Sequence, residues 1–214
     1  MSKLPHVALF LACLGFSPAV APASMAAPVE VAANRCNGQM VDEASGRVHD
    51  YDRHSAGNGS TQLLQRYGAL GEIIAVLNEE REILNNVCAS DAQKAPLFAQ
   101  IAATSAWALV LQADLAARLS ASCPAAATAL PTMMISDAWL ALANVVNDDG
   151  GVVPAAFHDV IPKVQSHAQT LGLALPAWSE TSAYWRDQVH VKEKAAISGC
   201  PSPPPTPTPA PLPT

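Results

Sequence analysis

The chain has 214 residues, of which 50% are hydrophobic, 5% aromatic and 14% charged, and its net charge at neutral pH is −6. This length suits one well-packed domain with additional terminal segments better than two domains. An acidic chain without a run of basic residues argues against a nucleic acid or an anionic membrane surface as the partner. The abundance of alanine, the most favourable residue in helices, predicts an all-α protein.

The segment 1–26 has the pattern of an export signal. Lys3 is its only charged residue, residues 7–16 form an apolar run, and Ser24-Met25-Ala26 ends it with small residues at both cleavage-defining positions. The run is too short to span a bilayer. We therefore predict a signal peptide, a secreted or periplasmic protein, and no transmembrane segment in the mature chain. Lipid attachment at Cys13, as in bacterial lipoproteins, is the alternative.

Residues 27–61 predict an irregular, polar lead-in to the first helix. Within it, His49, Asp50, Asp52 and His54 fall in six consecutive positions. Their nitrogen and oxygen atoms suit a transition metal such as zinc or copper, whereas the spacing does not match a calcium-binding EF-hand loop. We keep a metal site as a hypothesis beside the interpretation of a solvated polar loop, and we predict no other cofactor.

Residues 62–200 predict a bundle of about five helices. The first has apolar residues at four-three spacing, interrupted at Arg81, which either reaches toward solvent or lines a pocket. The second extends to about residue 123 and carries no charge from 95 to 113. We interpret it as a central helix surrounded by its neighbours rather than as a membrane span.

The other three helices are predicted at 132–148, 154–171 and 179–198. Glycines at 150–151 and at 172 predict where the first two of these end, because glycine readily adopts the left-handed conformation that stops a helix.

Two tryptophans near the start of the last predicted helix are candidates for partner binding. Trp178 and Trp185 are seven positions apart, close to Pro176. They would form an exposed aromatic ledge if they faced solvent. The alternative is that they fill one end of the bundle.

Residues 201–214 are more than half proline, with threonine and serine between. This composition excludes helix and sheet, and it predicts a disordered tail with polyproline II character.

Four cysteines follow the signal segment: Cys36, Cys88, Cys123 and Cys200. An even number in an exported chain predicts two disulfides, and no two lie close enough in sequence for a zinc or redox motif. If the helices alternate in direction, helix ends favour Cys88–Cys200 with Cys36–Cys123. The sequence-local pairing, Cys36–Cys88 with Cys123–Cys200, remains open.

The sequence contains none of the common catalytic motifs: no nucleophile elbow, no phosphate-binding glycine loop, no dinucleotide fingerprint and no haem-attachment motif. We therefore predict an exported, non-catalytic binding or interaction protein of the cell envelope or extracellular space. One alternative is a transition-metal-binding protein that uses residues 49–54. Another is a carrier of a small apolar ligand between its helices.

Overall fold

The computed structural model describes residues 35–54, 57, 59–181 and 189, and this part of the chain contains helices and no strand. Five α-helices, numbered α1 to α5 in chain order, span Gln39–Arg53, Ser60–Val87, Asp91–Leu119, Pro124–Asp148 and Val160–Thr170. Short 3₁₀ turns follow α4 and α5, at Ala155–Phe157 and Trp178–Glu180. The prediction of an all-α, disulfide-stapled bundle is confirmed.

Several predicted segments lie outside the described residues. They are the signal peptide at 1–26, most of the helix predicted at 179–198, and the tail at 201–214. The domain boundaries proposed from the sequence therefore stay predictions.

Helix α3 is the centre of the bundle and packs against every other described helix. One side of it supplies Ala106, Val110 and several other alanines to a hydrophobic cluster with α4, α5 and Phe157. Another side supplies Leu97 and Ile101 to a second cluster with α1 and α2. A charge in the middle of α3 would be desolvated on either side, which explains why the sequence has none there.

Helices α3 and α4 are long and apolar enough to cross a membrane, judged by length and composition alone. In their most apolar stretches, 56% of the α3 residues and 61% of the α4 residues are buried inside the protein. Core helices of soluble proteins meet the same criterion, so these two helices are weak evidence for a membrane span.

The predicted irregular lead-in contains a helix, α1, so that prediction is wrong for residues 39–53. Val41, Ala44 and Val48 are buried in the cluster shared with α2 and α3. Their spacing of three and four is helical. The signal was obscured by Gly46 and by the many polar residues around it.

Helix α1 runs parallel to α3. Gly38, at its start, lies against Leu97, and His49, near its end, contacts Trp107. Gly38 has a left-handed φ of 79°, and a Cβ added there would lie 2.7 Å from the Leu97 side chain. Both the backbone conformation and the close approach require glycine at this position.

The structure pairs Cys36 with Cys88, with Cα atoms 5.7 Å apart. The favoured pairing, Cys36–Cys123 with Cys88–Cys200, is therefore wrong. Its premise was an irregular lead-in, whereas α1 places Cys36 beside the C-terminal end of α2. Cys123 is also disulfide-bonded. Its partner and Cys200 lie outside the described residues, so the Cys123–Cys200 half of the sequence-local pairing stays a prediction.

A buried carboxylate occupies the interruption in the apolar stripe of α2. Glu80, only 3% exposed, accepts a hydrogen bond from Arg35 Nη1 at 2.9 Å. Its neighbour Arg81, which the spacing placed in the stripe, is half-buried. The charge facing the core is therefore acidic, and it is paired with the residue that precedes Cys36.

Both predicted glycine stops are present. Gly150 and Gly151 follow α4 with positive φ, and Gly172 does so after α5. The start of α4 differs from the prediction, because the helix begins at Pro124 and includes Pro131 rather than starting after it. Pro124 suits the first turn of a helix, where the backbone N–H has no partner within the helix. It therefore marks the start of α4, whereas Pro131 does not.

Candidate functional site

The histidine- and aspartate-rich stretch at 49–54 forms the last turn of α1 and its C-cap. The His49 ring meets the edge of Trp107 on α3, with centroids 4.1 Å apart and planes at 79°. The Asp52 carboxylate accepts a hydrogen bond from Lys163 Nζ on α5 at 3.1 Å. These two side chains therefore connect α1 to two other helices.

The remaining two proposed ligands are engaged locally. Asp50 pairs with Arg53 at 2.7 Å, and His54 Nδ1 lies 2.8 Å from the Asp50 carbonyl oxygen. Within the described residues, no group of three or more His, Cys, Asp or Glu side chains is placed to hold a metal ion. The structure therefore does not bring His49, Asp50, Asp52 and His54 together as ligands.

His49 and Asp52 belong to a larger polar group, the Trp107 cluster. Its members come from α1, α3 and α5: His49, Asp52, Trp107, Asp114, Lys163 and His167. The Lys163 ammonium lies 4.6 Å from the Trp107 ring centroid, within the range of a cation–π contact. The Trp107 Nε1 atom is buried without a hydrogen-bond partner in the described chain.

His167 lies between Asp114 on α3 and the backbone of its own helix, α5. Its Nε2 lies 3.3 Å from the Asp114 carboxylate and its Nδ1 lies 2.8 Å from the Lys163 carbonyl oxygen. Both neighbours are acceptors, so the doubly protonated ring satisfies them best. The pKa of His167 is raised, chiefly by the Asp114 hydrogen bond, which outweighs the lowering by burial.

The Trp107 cluster offers little room for a ligand. The cleft beside it, lined by Asp52 and Asp114 among others, has a volume of about 220 Å³, below the range of about 300–1,000 Å³ typical of ligand pockets. Both carboxylates are already paired, with Lys163 and His167. The cluster therefore serves as a junction that holds three helices together.

A larger site, the Phe98 groove, lies where α2, α3 and α4 meet. It consists of two concavities of about 420 and 710 Å³ that share Arg81 and Phe98. Residues of one are Arg81, Asp91, Ala95, Pro96, Phe98, Ala99, Val145, Asp148, Asp149 and Pro154, and the other adds Asn78, Glu82, Asn85 and Asn86. Each concavity has the size of a ligand pocket.

The floor of the groove is aromatic and its rim is acidic. Arg81 extends over Phe98, with its guanidinium carbon 5.3 Å from the ring centroid. Asp148 is the last residue of α4 and Asp149 is its C-cap. Carboxylates at the negative end of a helix dipole are unfavourable by roughly 0.3–1 kcal/mol each. This placement gives the fold no electrostatic benefit.

The sequence predicted little of this groove. Of the two alternatives for Arg81, reaching toward solvent or lining a pocket, the structure shows that it lines the groove. Asp148 and Asp149 directly precede the glycine stop at 150–151, and nothing in their spacing indicates a groove. Phe98 carried no signal of its own, because it lies in an apolar helix where most residues are buried.

The proposed aromatic ledge is only partly within the described residues. The Trp178 ring stacks on Trp139, with centroids 3.9 Å apart and planes at 19°, and it packs against the core. Trp139 Nε1 donates to the carbonyl oxygen of Pro176 at 3.0 Å. Trp178 is therefore half-buried at the bundle surface, and Trp185 lies outside the described residues.

No family model, curated protein or solved structure matches this chain. The Phe98 groove has the volume of a ligand pocket and carboxylates at its rim, whereas Asp52 and Asp114 of the Trp107 cluster are paired with Lys163 and His167.

Proposed function

We propose that this chain is an exported binding protein that recognises a polypeptide partner through the Phe98 groove and does not catalyse a reaction. The observation that carries the proposal is the groove itself, where the aromatic ring of Phe98 lies at the junction of two adjoining concavities. Aromatic side chains dominate the energetics of many protein interfaces. The carboxylates of Asp148 and Asp149 also support a binding role, because they stand at the negative end of the α4 dipole, where they do not stabilise the helix.

Export is supported by the cysteines and by the leader pattern. The Cys36–Cys88 disulfide and the bonded state of Cys123 are typical of proteins that fold in an oxidising compartment. The first 26 residues have the charge and apolar pattern of a cleavable signal. We expect the mature protein in the periplasm or the medium.

Site-specific photo-crosslinking in the producing cell tests both parts of the proposal. A photoreactive amino acid replaces Glu82 in the groove, and the matched control replaces Glu72, which is exposed on the same helix outside it. We expect a discrete adduct from the Glu82 position only, in the exported fraction, and its loss when Phe98→Ser is added. Equal adducts from the two positions, or none from the groove, would contradict the binding function.

A further inference from the structure

The Phe98 groove has a strong charge asymmetry. Among the described residues, the carboxylates of Glu82, Asp91, Asp148 and Asp149 line it together with one guanidinium, that of Arg81. Asp91 is already paired with Lys94 Nζ at 3.9 Å. All four acidic residues are exposed. Because they converge on one concave surface, their potentials add there, and a cationic partner is attracted while an anionic one is repelled.

The floor between these charges is apolar. Ala95, Pro96, Phe98 and Val145 line the first concavity. Val152 and Val153, which directly precede Pro154 at its edge, are exposed by 60% and 37%. A partner that carried charge alone would leave this apolar surface in water, so the surface favours a segment that also has apolar side chains.

Arg81 shows how a cation is accommodated on this floor. Its guanidinium lies over the Phe98 ring at a distance suited to a cation–π contact. Arg81 belongs to this chain, and it occupies the ring face that an arriving lysine or arginine would use. Among the described residues that line the groove it is the only basic one, so its charge opposes a cationic partner.

We infer that the Phe98 groove binds a basic, extended segment of another polypeptide, in which lysine or arginine alternates with apolar residues. The apolar residues pack on Phe98 and Val145, and the cations pair with Asp148 and Asp149. In an extended segment alternate side chains point to opposite sides, so one face meets the floor while the other reaches the rim. The inference rests on the proposed binding function and names its partner chemistry.

Fluorescence anisotropy with three labelled peptides of about eight residues tests the inference on the purified, disulfide-intact protein. One peptide alternates lysine with leucine, a second alternates glutamate with leucine, and a third alternates lysine with serine. We expect measurable binding of the lysine–leucine peptide alone, with an affinity that falls as salt is added, because exposed charges are screened.

Two pairs of substitutions separate the groove from general attraction to an acidic protein. Asp148→Asn with Asp149→Asn should weaken binding about three- to tenfold, as expected for two exposed ion pairs. Asp50→Asn with Glu72→Gln removes the same charge from positions outside the groove and should leave the affinity unchanged. The melting temperature of this rim variant should be unchanged or higher, because the carboxylates that it lacks interact unfavourably with the helix dipole.

Arg81→Gln should change the peptide affinity in the opposite direction to the rim variant. It removes a charge that repels the peptide and exposes the Phe98 ring, so binding of the lysine–leucine peptide should tighten about two- to fivefold. If the peptide adhered nonspecifically to the protein surface, replacing any exposed arginine would change its affinity by the same amount. Arg47, exposed on α1, supplies the control as Arg47→Gln.

The outcomes also separate this inference from the proposed function. If the glutamate–leucine peptide binds as tightly as the lysine–leucine peptide, and Phe98→Ser abolishes its binding, the groove is a binding site but its partner is not a basic segment. If the rim variant and its control weaken binding equally, the inference is overturned. A groove crosslink in cells to a segment without basic residues would likewise refute it and leave the proposed function standing.

Discussion

Replacing both Cys36 and Cys88 by alanine should lower the free energy of unfolding by about 4 kcal/mol. The two cysteines are 52 positions apart. In the chain-entropy model a cross-link closing a loop of that length restricts the unfolded chain by about 4 kcal/mol at 25 °C. Helix α1, which lies inside this loop, has 15 residues, and isolated helices of about that length are marginal in water. The disulfide therefore keeps α1 beside the end of α2.

Urea unfolding followed by circular dichroism measures this loss. The midpoint should fall, and the dependence on urea should become steeper, because an unfolded chain without the cross-link exposes more surface. The melting temperature should fall by roughly 10–15 °C for a domain of this size. No reductant is added, so that the bond made by Cys123 stays intact in both proteins.

Hydrogen exchange distinguishes an effect on the unfolded chain from damage to the folded one. The folded double variant should keep protection in α1, because Val41, Ala44 and Val48 remain buried. A loss below about 1 kcal/mol, with an unchanged dependence on urea, would contradict the entropic account. Loss of α1 protection with a full stability decrease would instead show that the disulfide acts mainly on the native state.

Four further substitutions probe local contacts. Arg35→Met leaves the buried Glu80 carboxylate without its partner and should cost about 2–3 kcal/mol in urea unfolding, whereas Glu80→Gln, which retains an acceptor, should cost less. Gly38→Ala places a methyl group against an α3 side chain at a left-handed position and should lower the melting temperature by several degrees, from roughly 1–2 kcal/mol of strain. The raised pKa of His167 means that the folded state binds its proton more tightly than the unfolded state. The stability that His167 contributes should be complete below its unfolded pKa of about 6.5 and lost as the pH rises through its folded pKa. The wild type should therefore exceed His167→Gln in free energy of unfolding by a larger margin at low pH. Equal margins below and above these two pKa values would contradict the Asp114 pairing.

The sequence predicted the long apolar helices and their stops well, because both depend on local chemistry. Glycine at 150–151 and at 172 ends α4 and α5 in the structure as expected. The uncharged middle of α3 correctly indicated a helix with neighbours on several sides. These signals depend on backbone conformation and on burial, which act within a few residues.

The features that were missed depend on contacts between distant residues. Helix α1 has only a few buried residues and owes its position to α3 and to the Cys36–Cys88 bond. The disulfide pairing followed from that helix, so one wrong assignment produced the other. The Phe98 groove brings residues of three helices together, and no spacing along the chain shows that Asp149 and Arg81 line one surface.

The division of the interior by α3 has a consequence for the order in which the protein assembles. The cluster formed by α1, α2 and α3 uses residues no later than Leu119, and both cysteines of its cross-link are among them. A chain that emerges amino-terminus first can therefore complete this half before α4 and Phe157 are delivered. We expect α3 to act as a template, with its alanine-rich side exposed to solvent until the second half arrives and covers it.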